Sequence, residues 1–483
     1  MIEVFRPELI IFRGYGMRLL LISANTETIS MPTLPLGLAS VAAATRKAGH
    51  EVVLLNLMFE ADPELSIRNS VQDFDPQVIG ISVRNIDDQN MPQPRFLLSP
   101  VKDVIATCRS ISDAPIVVGG AGYSIFPESA LHYLGAGVGI QGEGEVVFPL
   151  LLDRIGQGGE ASDLPGVHLE ESSLANTSPV LSFPRRRESK AEMVPRLREG
   201  DNPFSSRPVA GVKAIRESGP PRFVKDLDDL PLPEPGLWIP ADSAKRKLWV
   251  PVQSRRGCPL GCTYCSTSAI EGRAVRRRSP LKVVNWLAEL RKTGCRNFNF
   301  VDNVFNFPPS YAKDLCRQLI RAQLDLHLWC IIYPKWIDNE LVVLMRRAGC
   351  RQISFGFESG SDRMLRSLNK RFLQKEIGVA SKMFAEAGIE RMGFLLLGGP
   401  GETRESVEES LAFADSLSLE SLKITIGLRI YPSTPLAKTA FAEGVMRPGD
   451  DLLFPRFYLQ PELKDWLPER VAAYKASRPW VTG

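Results

Sequence analysis

No apolar stretch in this chain of 483 residues outlasts a single β-strand, so neither a membrane-spanning helix nor a secretory leader is expected. Neither sign of charge dominates. Against 59 Lys and Arg stand 55 Asp and Glu, and a net +4 over this length gives no basis for an obligatory nucleic-acid partner. There is no second Cys-x2-Cys and no His-x3-His, so a zinc knot built from two ligand doublets lacks its second half. Eight cysteines without an export signal point to a reducing cytoplasm rather than to disulfides. What the chain does have is length, enough for two or three domains with sizeable cores.

Three parts follow one another. Residues 1–16 are poorly patterned and read as an extension, with Met17 opening the first clear strand. Residues 17–155 alternate short branched runs (19–22, 52–56, 78–83, 116–118 and 138–140) with helical stretches such as 38–48 and 101–110, the pattern of a doubly wound parallel α/β sheet. Ligands in such sheets sit beyond the carboxyl ends of the strands. Those ends carry Ser23 and Asn25, then Ser82, Arg84 and Asn85, then Gly119 and Gly120, then Gly142, Glu143 and Gly144. His50 falls in the helix-to-strand turn at the opposite end and reads as structural.

Residues 156–245 form a linker rich in Ser, Pro, Arg, Glu and Gly, with a flexible insertion expected over about 170–222. Its Arg185-Arg186-Arg187 run, without aromatic neighbours, reads as a solvated loop. From 246 to 445 the alternation returns with six strand candidates, at 248–252, 297–301, 328–332, 353–357, 392–397 and 422–426. Six βα units in one sheet suggest a partial, open (β/α)6 barrel. Ser279-Pro280 starts a helix with Leu281, Val284, Leu287 and Leu290 expected on its buried face. Residues 446–483 read as a segment covering the barrel, with an aromatic run at 454–459 and Trp466 fit to roof a cavity or simply to dock.

Directly after the first barrel strand lies Arg-Arg-Gly-Cys258-Pro-Leu-Gly-Cys262-Thr-Tyr264-Cys265. Three thiolates are one short of a closed structural metal site, so a 4Fe–4S cluster held here keeps one iron open; a zinc knot with a distant fourth ligand is the alternative. The Cys-x3-Cys-x2-Cys spacing with an aromatic residue before the third cysteine resembles the signature of the radical S-adenosylmethionine (SAM) enzymes. The later strand ends resemble the same family: Asp302-Asn303, the Gly-x-Glu358-Ser359-Gly element, Gly398-Gly399-Pro400-Gly401-Glu402-Thr403, and Arg429. The resemblance implies that Tyr264, Asp302, Asn303, Glu358, Ser359, Gly399, Gly401 and Arg429 surround SAM. Cys295, Cys316, Cys330 and Cys350 are too widely spaced for an auxiliary cluster and read as small core residues, as Tyr311 and Tyr431 read as packing.

The N-terminal part resembles the cobalamin-binding domain that precedes many radical SAM domains, through Pro35-Leu36-Gly37-Leu38-Ala39, Ala48-Gly49-His50-Glu51-Val52, Gly80-Ile81-Ser82, Val118-Gly119-Gly120 and Gly142-Glu143-Gly144-Glu145. The Asp-x-His-x-x-Gly that ligates cobalt in many such domains is absent; the chain reads Ser23-Ala24-Asn25-Thr26-Glu27-Thr28 there, which implies cobalamin without a histidine ligand. The combination implies an oxygen-sensitive, cobalamin-dependent radical SAM enzyme. Foremost is a C-methyltransferase moving a methyl group from SAM via methylcobalamin to an unactivated carbon, after hydrogen abstraction by a 5′-deoxyadenosyl radical. A cyclising, oxidising or rearranging enzyme with non-methylating cobalamin, and a non-catalytic cobalamin and cluster sensor, are the competing classes. A methylthiotransferase usually carries three further upstream cysteines, where this chain has only Cys108. A flavodoxin- or ferredoxin-type electron donor and a small-molecule or lipid-like substrate are implied; lipid, tetrapyrrole, peptide and small natural product all stay open.

Overall fold

The computed structural model describes residues 16–28, 31–159, 161–170, 215–217, 219–447 and 449–482. Residues 1–15, and residues 171–214 of the expected insertion with its arginine triplet, lie outside the described residues. No helix among the described residues is long and apolar enough to cross a membrane.

The first sheet contains β1 (Arg18–Ser23), β2 (Glu51–Asn56), β3 (Val78–Ser82), β4 (Ile116–Gly119), β5 (Val138–Ile140), β6 (Val167–Glu170) and β7 (Ile215–Glu217), in the order β2-β1-β3-β4-β5-β6-β7. Its first five strands are parallel; β2 is the edge strand, with Glu51 and Val53 exposed, whereas burial on both faces explains the near-continuous branched sequences of the inner strands. Leu19 and Leu21 pack toward the helices Leu36–Lys47 and Gly144–Gln157. Leu20 and Ile22 pack toward Pro63–Phe74, Leu98–Ile111 and Pro127–Leu134 on the other face. Register sets Ser23 beside Ser82 and Ser82 beside Gly119, so their strand ends form one row. β6 and β7 add two antiparallel strands at the edge, extending this sheet into the stretch that the composition marks as linker. His50 sits at the far end of the sheet, where its Nδ1 accepts a hydrogen bond from Met17 N at 3.2 Å. Burial lowers its basicity, with Asp153 opposing.

The second sheet runs β8 (Val250–Val252), β11 (Asn297–Phe300), β12 (His327–Ile332), β13 (Cys350–Glu358), β14 (Glu390–Leu397) and β15 (Ser421–Ile426) side by side and parallel, in chain order, as a partial barrel does. The tail contributes a seventh strand, β18 (Val481–Thr482), beside β15. Between β8 and β11 lies a small antiparallel ladder of β9 (Arg255–Arg256) and β10 (Arg276–Arg277). A second one joins β16 (Leu428–Arg429) to β17 (Phe457–Tyr458).

One expectation needs correction. In the helix Pro280–Arg291 the buried residues are Val283, Val284, Trp286, Leu287 and Leu290, and Leu281 is 61% exposed. A ladder at spacing three drifts by about 60° per step around the axis, so its first rung rotates off the buried stripe. In the aromatic tail, Phe454 packs on Phe96 and Tyr133 of the first domain, with ring centroids 4.6 and 5.9 Å apart, and Tyr458 is buried in the β16–β17 ladder.

Candidate active site between the two sheets

The cysteine loop is built from its base upward. Asp302, fully buried at the end of β11, accepts hydrogen bonds from Ser254 N at 2.7 Å, Ser254 Oγ at 2.5 Å and Arg255 N at 3.1 Å, and pairs with Arg255 Nε at 3.3 Å. Its carboxylate therefore anchors the turn leaving β8. Burial pushes its carboxyl up, against the Arg255 guanidinium. The β9–β10 ladder then pins both ends of residues 257–275 together. Gly257, at φ +86°, is indispensable, because a Cβ there would lie 2.0 Å from the Ala274 carbonyl oxygen.

Within this loop Cys258, Cys262 and Cys265 are free and half-buried. Burial pushes the Cys258 and Cys262 thiols up, and each thiol feels the charge of another, so the three are electrostatic neighbours. Among the described residues no three His, Cys, Asp or Glu side chains converge on the point a single ion would occupy. Three half-buried thiols at Cys-x3-Cys-x2-Cys spacing in one pinned loop fit a 4Fe–4S group with one open iron.

Around the loop stand the other barrel residues named from sequence. Glu358 ends β13 at φ +65°, beside a register shift against β14, and its Oε1 meets Lys370 Nζ at 3.3 Å. Lys370 Nζ also donates to Tyr264 Oη at 3.0 Å. Burial raises the Tyr264 phenol well above its usual range. Asn303 Nδ2 donates to Glu271 Oε2 at 2.5 Å, and the same oxygen accepts from Gly257 N at 3.0 Å. Glu402 folds back under its own loop, accepting from Gly398 N and from Gly399 N, the latter at 3.0 Å, while Gly401 N donates to Gln460 Oε1 at 2.9 Å. Ser359 is buried against Ser410 Oγ at 3.0 Å.

Beyond the loop, a cavity of about 390 Å³ opens between the two sheets. Ser23, Ser82, Arg84, Gly119, Gly120, Gly142, Glu143 and Gly144 line it from the first domain; Gln253, Arg256, Glu271 and Val301 line it from the barrel. Asn25 and Asn85 instead line a smaller recess of about 20 Å³ with Ser82 and Arg84. Leu21, Ile81, Val118 and Ile140 give an apolar wall interrupted by bare backbone. Gly120, at φ +105°, lies so close to Val83 O that a Cβ would be 2.6 Å away. Apolar side chains, glycine backbone and hydroxyls fit a large flat ring carrying amide arms, which is the chemistry of cobalamin.

The carboxylates at this seam are paired with protein rather than left free. Glu143 Oε1 lies 2.6 Å from Arg276 Nη1 and 3.2 Å from Arg256 Nη1, and Glu145 Oε1 lies 2.5 Å from Arg256 Nη2. Burial alone would push the Glu145 carboxyl up, but Arg256 outweighs it and holds it below the usual carboxylate range. Across the other side, Arg429 Nε pairs with Asp87 Oδ2 at 2.7 Å, both almost fully buried. Three residues expected beside a ligand (Asp302, Glu143 and Arg429) are thus held in buried ion pairs, because a charge removed from water needs a counter-charge.

A family model described as the Radical SAM superfamily matches residues 252–414, and one described as the B12 binding domain matches residues 22–152. The chain belongs to the cobalamin-binding radical SAM enzymes. An uncharacterized methyltransferase, PH0819, of Pyrococcus horikoshii is 24% identical over 441 residues, covering 89% of this chain and 84% of the relative. Tryptophan 2-C-methyltransferase of Streptomyces laurentii is 25% identical over 472 residues, covering 86% and 73%. The solved structure of the radical SAM methyltransferase TsrM from Kitasatospora setae, with cobalamin and a [4Fe-4S] cluster bound, shares the fold at a TM-score of 0.76 and 21% identity, covering 97% of this chain and 91% of that one.

In this radical SAM protein, sequence reasoning missed Lys370, Glu271, Gln253 and Arg256. Arg256 had a signal, standing two residues before Cys258 in the Arg-Arg-Gly-Cys run, and Glu271 follows Cys265 within the same loop. Lys370 had none, since it lies in a turn after a short helix. Cys295, Cys316, Cys330 and Cys350 are buried in the barrel core. Tyr311 is buried too, donating from Oη to Arg278 O at 2.8 Å.

Proposed function

We propose that the protein is a cobalamin-dependent radical SAM C-methyltransferase acting on a small molecule. The observation that carries this reading is the single cavity walled on one side by the glycine-rich ends of a B12-binding sheet and on the other by the cysteine loop. When bound, cobalamin supplies methyl carriage and SAM on the cluster supplies one-electron cleavage. The residues then divide the work. Gly119, Gly120, Gly142 and Gly144 hold the ring by backbone and shape, with Ser23 and Ser82 offering hydroxyls to its rim. None of the chain's four histidines is among the lining residues, which supports a cobalt without a histidine ligand.

Cys258, Cys262 and Cys265 hold the cluster. Tyr264, Asn303, Glu358, Gly399 and Gly401 orient SAM directly, whereas Asp302, Ser359 and Arg429 act by fixing the loops that carry them. Holding two reacting groups in one water-poor cleft lowers the barrier by removing their freedom to separate. The methyltransferase reading follows the two curated relatives and supports transfer to carbon. A flavodoxin- or ferredoxin-type protein would supply the electron, in the reducing cytoplasm that eight free cysteines suit.

Anaerobic reconstitution with iron, sulfide, hydroxocobalamin, SAM and a low-potential reductant tests this. Stoichiometric cobalamin with both 5′-deoxyadenosine and S-adenosylhomocysteine as products is expected. Deoxyadenosine without bound cobalamin would favour a non-methylating radical enzyme, and neither product from cluster-loaded protein would overturn the enzymatic reading.

A further inference from the structure

Lys370 is the most enclosed ammonium near the site, with its side chain 4% exposed. Its nitrogen donates to Tyr264 Oη at 3.0 Å and to Glu358 Oε1 at 3.3 Å, and its charge acts on the Cys262 thiol, pulling it down against the effect of burial. Aromatic faces of Tyr264, Tyr333 and Phe372 close the remaining directions, with the nitrogen 5.4, 5.8 and 6.0 Å from the ring centroids. Tyr333 Oη is itself tied down, accepting from Arg371 N at 2.8 Å. The charge is therefore dry, fixed in position and shared between one cluster cysteine and one carboxylate placed where SAM is expected.

We propose that Lys370 is a positioning residue that sets the electron affinity of the cluster through Cys262, while holding Glu358 in place for SAM. A buried cation close to a ligand sulfur stabilises the more negative, reduced cluster and raises its reduction potential. Glu358 opposes it at short range, so the pair acts as a matched set. Removing only the cation leaves a buried carboxylate facing the cluster, and both changes then push the potential the same way. The inference rests on the cluster reading, not on methyl transfer.

The test is a potentiometric titration of the reconstituted full chain, followed by electron paramagnetic resonance, with titanium(III) citrate delivering one electron per cluster. Cobalamin and substrate are omitted, so failure of methyl transfer would leave this result intact. Iron and sulfide per chain are measured in parallel. Lys370→Met is expected to load iron and to shift the midpoint to a more negative value; Lys370→Arg is expected to stay near the unmodified protein. Lys370→Met with Glu358→Gln removes both charges, and its midpoint should return most of the way. A residue needed only for packing would not give that return. If Lys370→Met loads no iron while Lys370→Arg loads fully, the charge requirement also stands. An unmoved midpoint at full iron content, equal loss of iron in both variants, or no return in the double variant overturns the proposal. An unmodified chain that takes up no iron overturns it together with the cluster reading.

Discussion

At the carboxyl ends of β1, β3, β4 and β5 the groups facing the cavity are mainly hydroxyls and bare backbone: Ser23, Ser82, Gly119, Gly120 and Gly142. At the facing ends of β8, β11 and β13 stand Arg256, Asp302 and Glu358, with Glu271 and Lys370 beside them, nearly every charge already paired. The first surface recognises mainly by shape, hydroxyls and backbone hydrogen bonding, with the Arg84 guanidinium beside them. The second has fixed electrostatics before anything binds. The difference matches the two kinds of chemistry: a large uncharged ring needs room and flat contact, whereas a thiolate cluster and a zwitterionic cofactor need charges that do not reorganise.

Four substitutions break or sharpen that contrast. Cys258→Ala has the largest expected effect. Iron per chain should fall to near zero and SAM cleavage should vanish, while cobalamin uptake stays, showing that the two surfaces load independently; loss of both would show that they do not. Arg256→Gln strips the counter-charge from Glu145 and leaves Glu143 with Arg276 alone, and a broken buried pair costs about 3–5 kcal/mol. The urea midpoint should drop accordingly, and adding Glu145→Gln should recover part of it.

Glu402→Gln tests the barrel side by pH. Burial pushes this carboxyl to about 7, from 4.5 in the ordinary state, against the Gly398 and Gly399 amides. Between those values the folded chain keeps a proton that the unfolded chain releases, so stability falls as pH rises through that window. At about 1.4 kcal/mol per pKa unit the loss is at most about 3.5 kcal/mol, and the glutamine variant should flatten the slope of stability against pH. Gly120→Ala, on the bare surface, meets a Cβ contact of 2.6 Å and a φ of +105°. An expected cost of about 1–3 kcal/mol should show as lower stability and weaker cobalamin binding, with iron content unchanged.

Much of this arrangement was legible in the sequence, and the reasons differ by element. Strand and helix alternation survives because the inner strands of the first sheet are buried on both faces and the barrel strands alternate buried with half-buried positions, and such runs announce themselves locally. The cysteine loop and the Gly398–Thr403 turn were legible for the same local reason. What hid was pairing across distance. Arg256 meets Glu145 from 111 positions away, and Arg429 meets Asp87 from 342, so no window along the chain holds both partners. The expectation that Glu143, Asp302 and Arg429 would touch ligands identified the right ends of the right strands; burial then directed each charge toward a protein partner. β6, β7 and β18 are two- to four-residue edge strands with too little sequence to show a period.

Glu358 carries a consequence for anyone engineering this chain. Its left-handed backbone is one that glycine adopts freely and a glutamate adopts at a cost of about 1 kcal/mol. A stabilisation campaign that relieves strained backbone would reach this position early, yet glycine there would also leave the buried Lys370 ammonium without its carboxylate, a loss of about 3–5 kcal/mol that outweighs the strain recovered. The change meant to make the protein more durable would weaken it and disarm it at the mouth of its barrel.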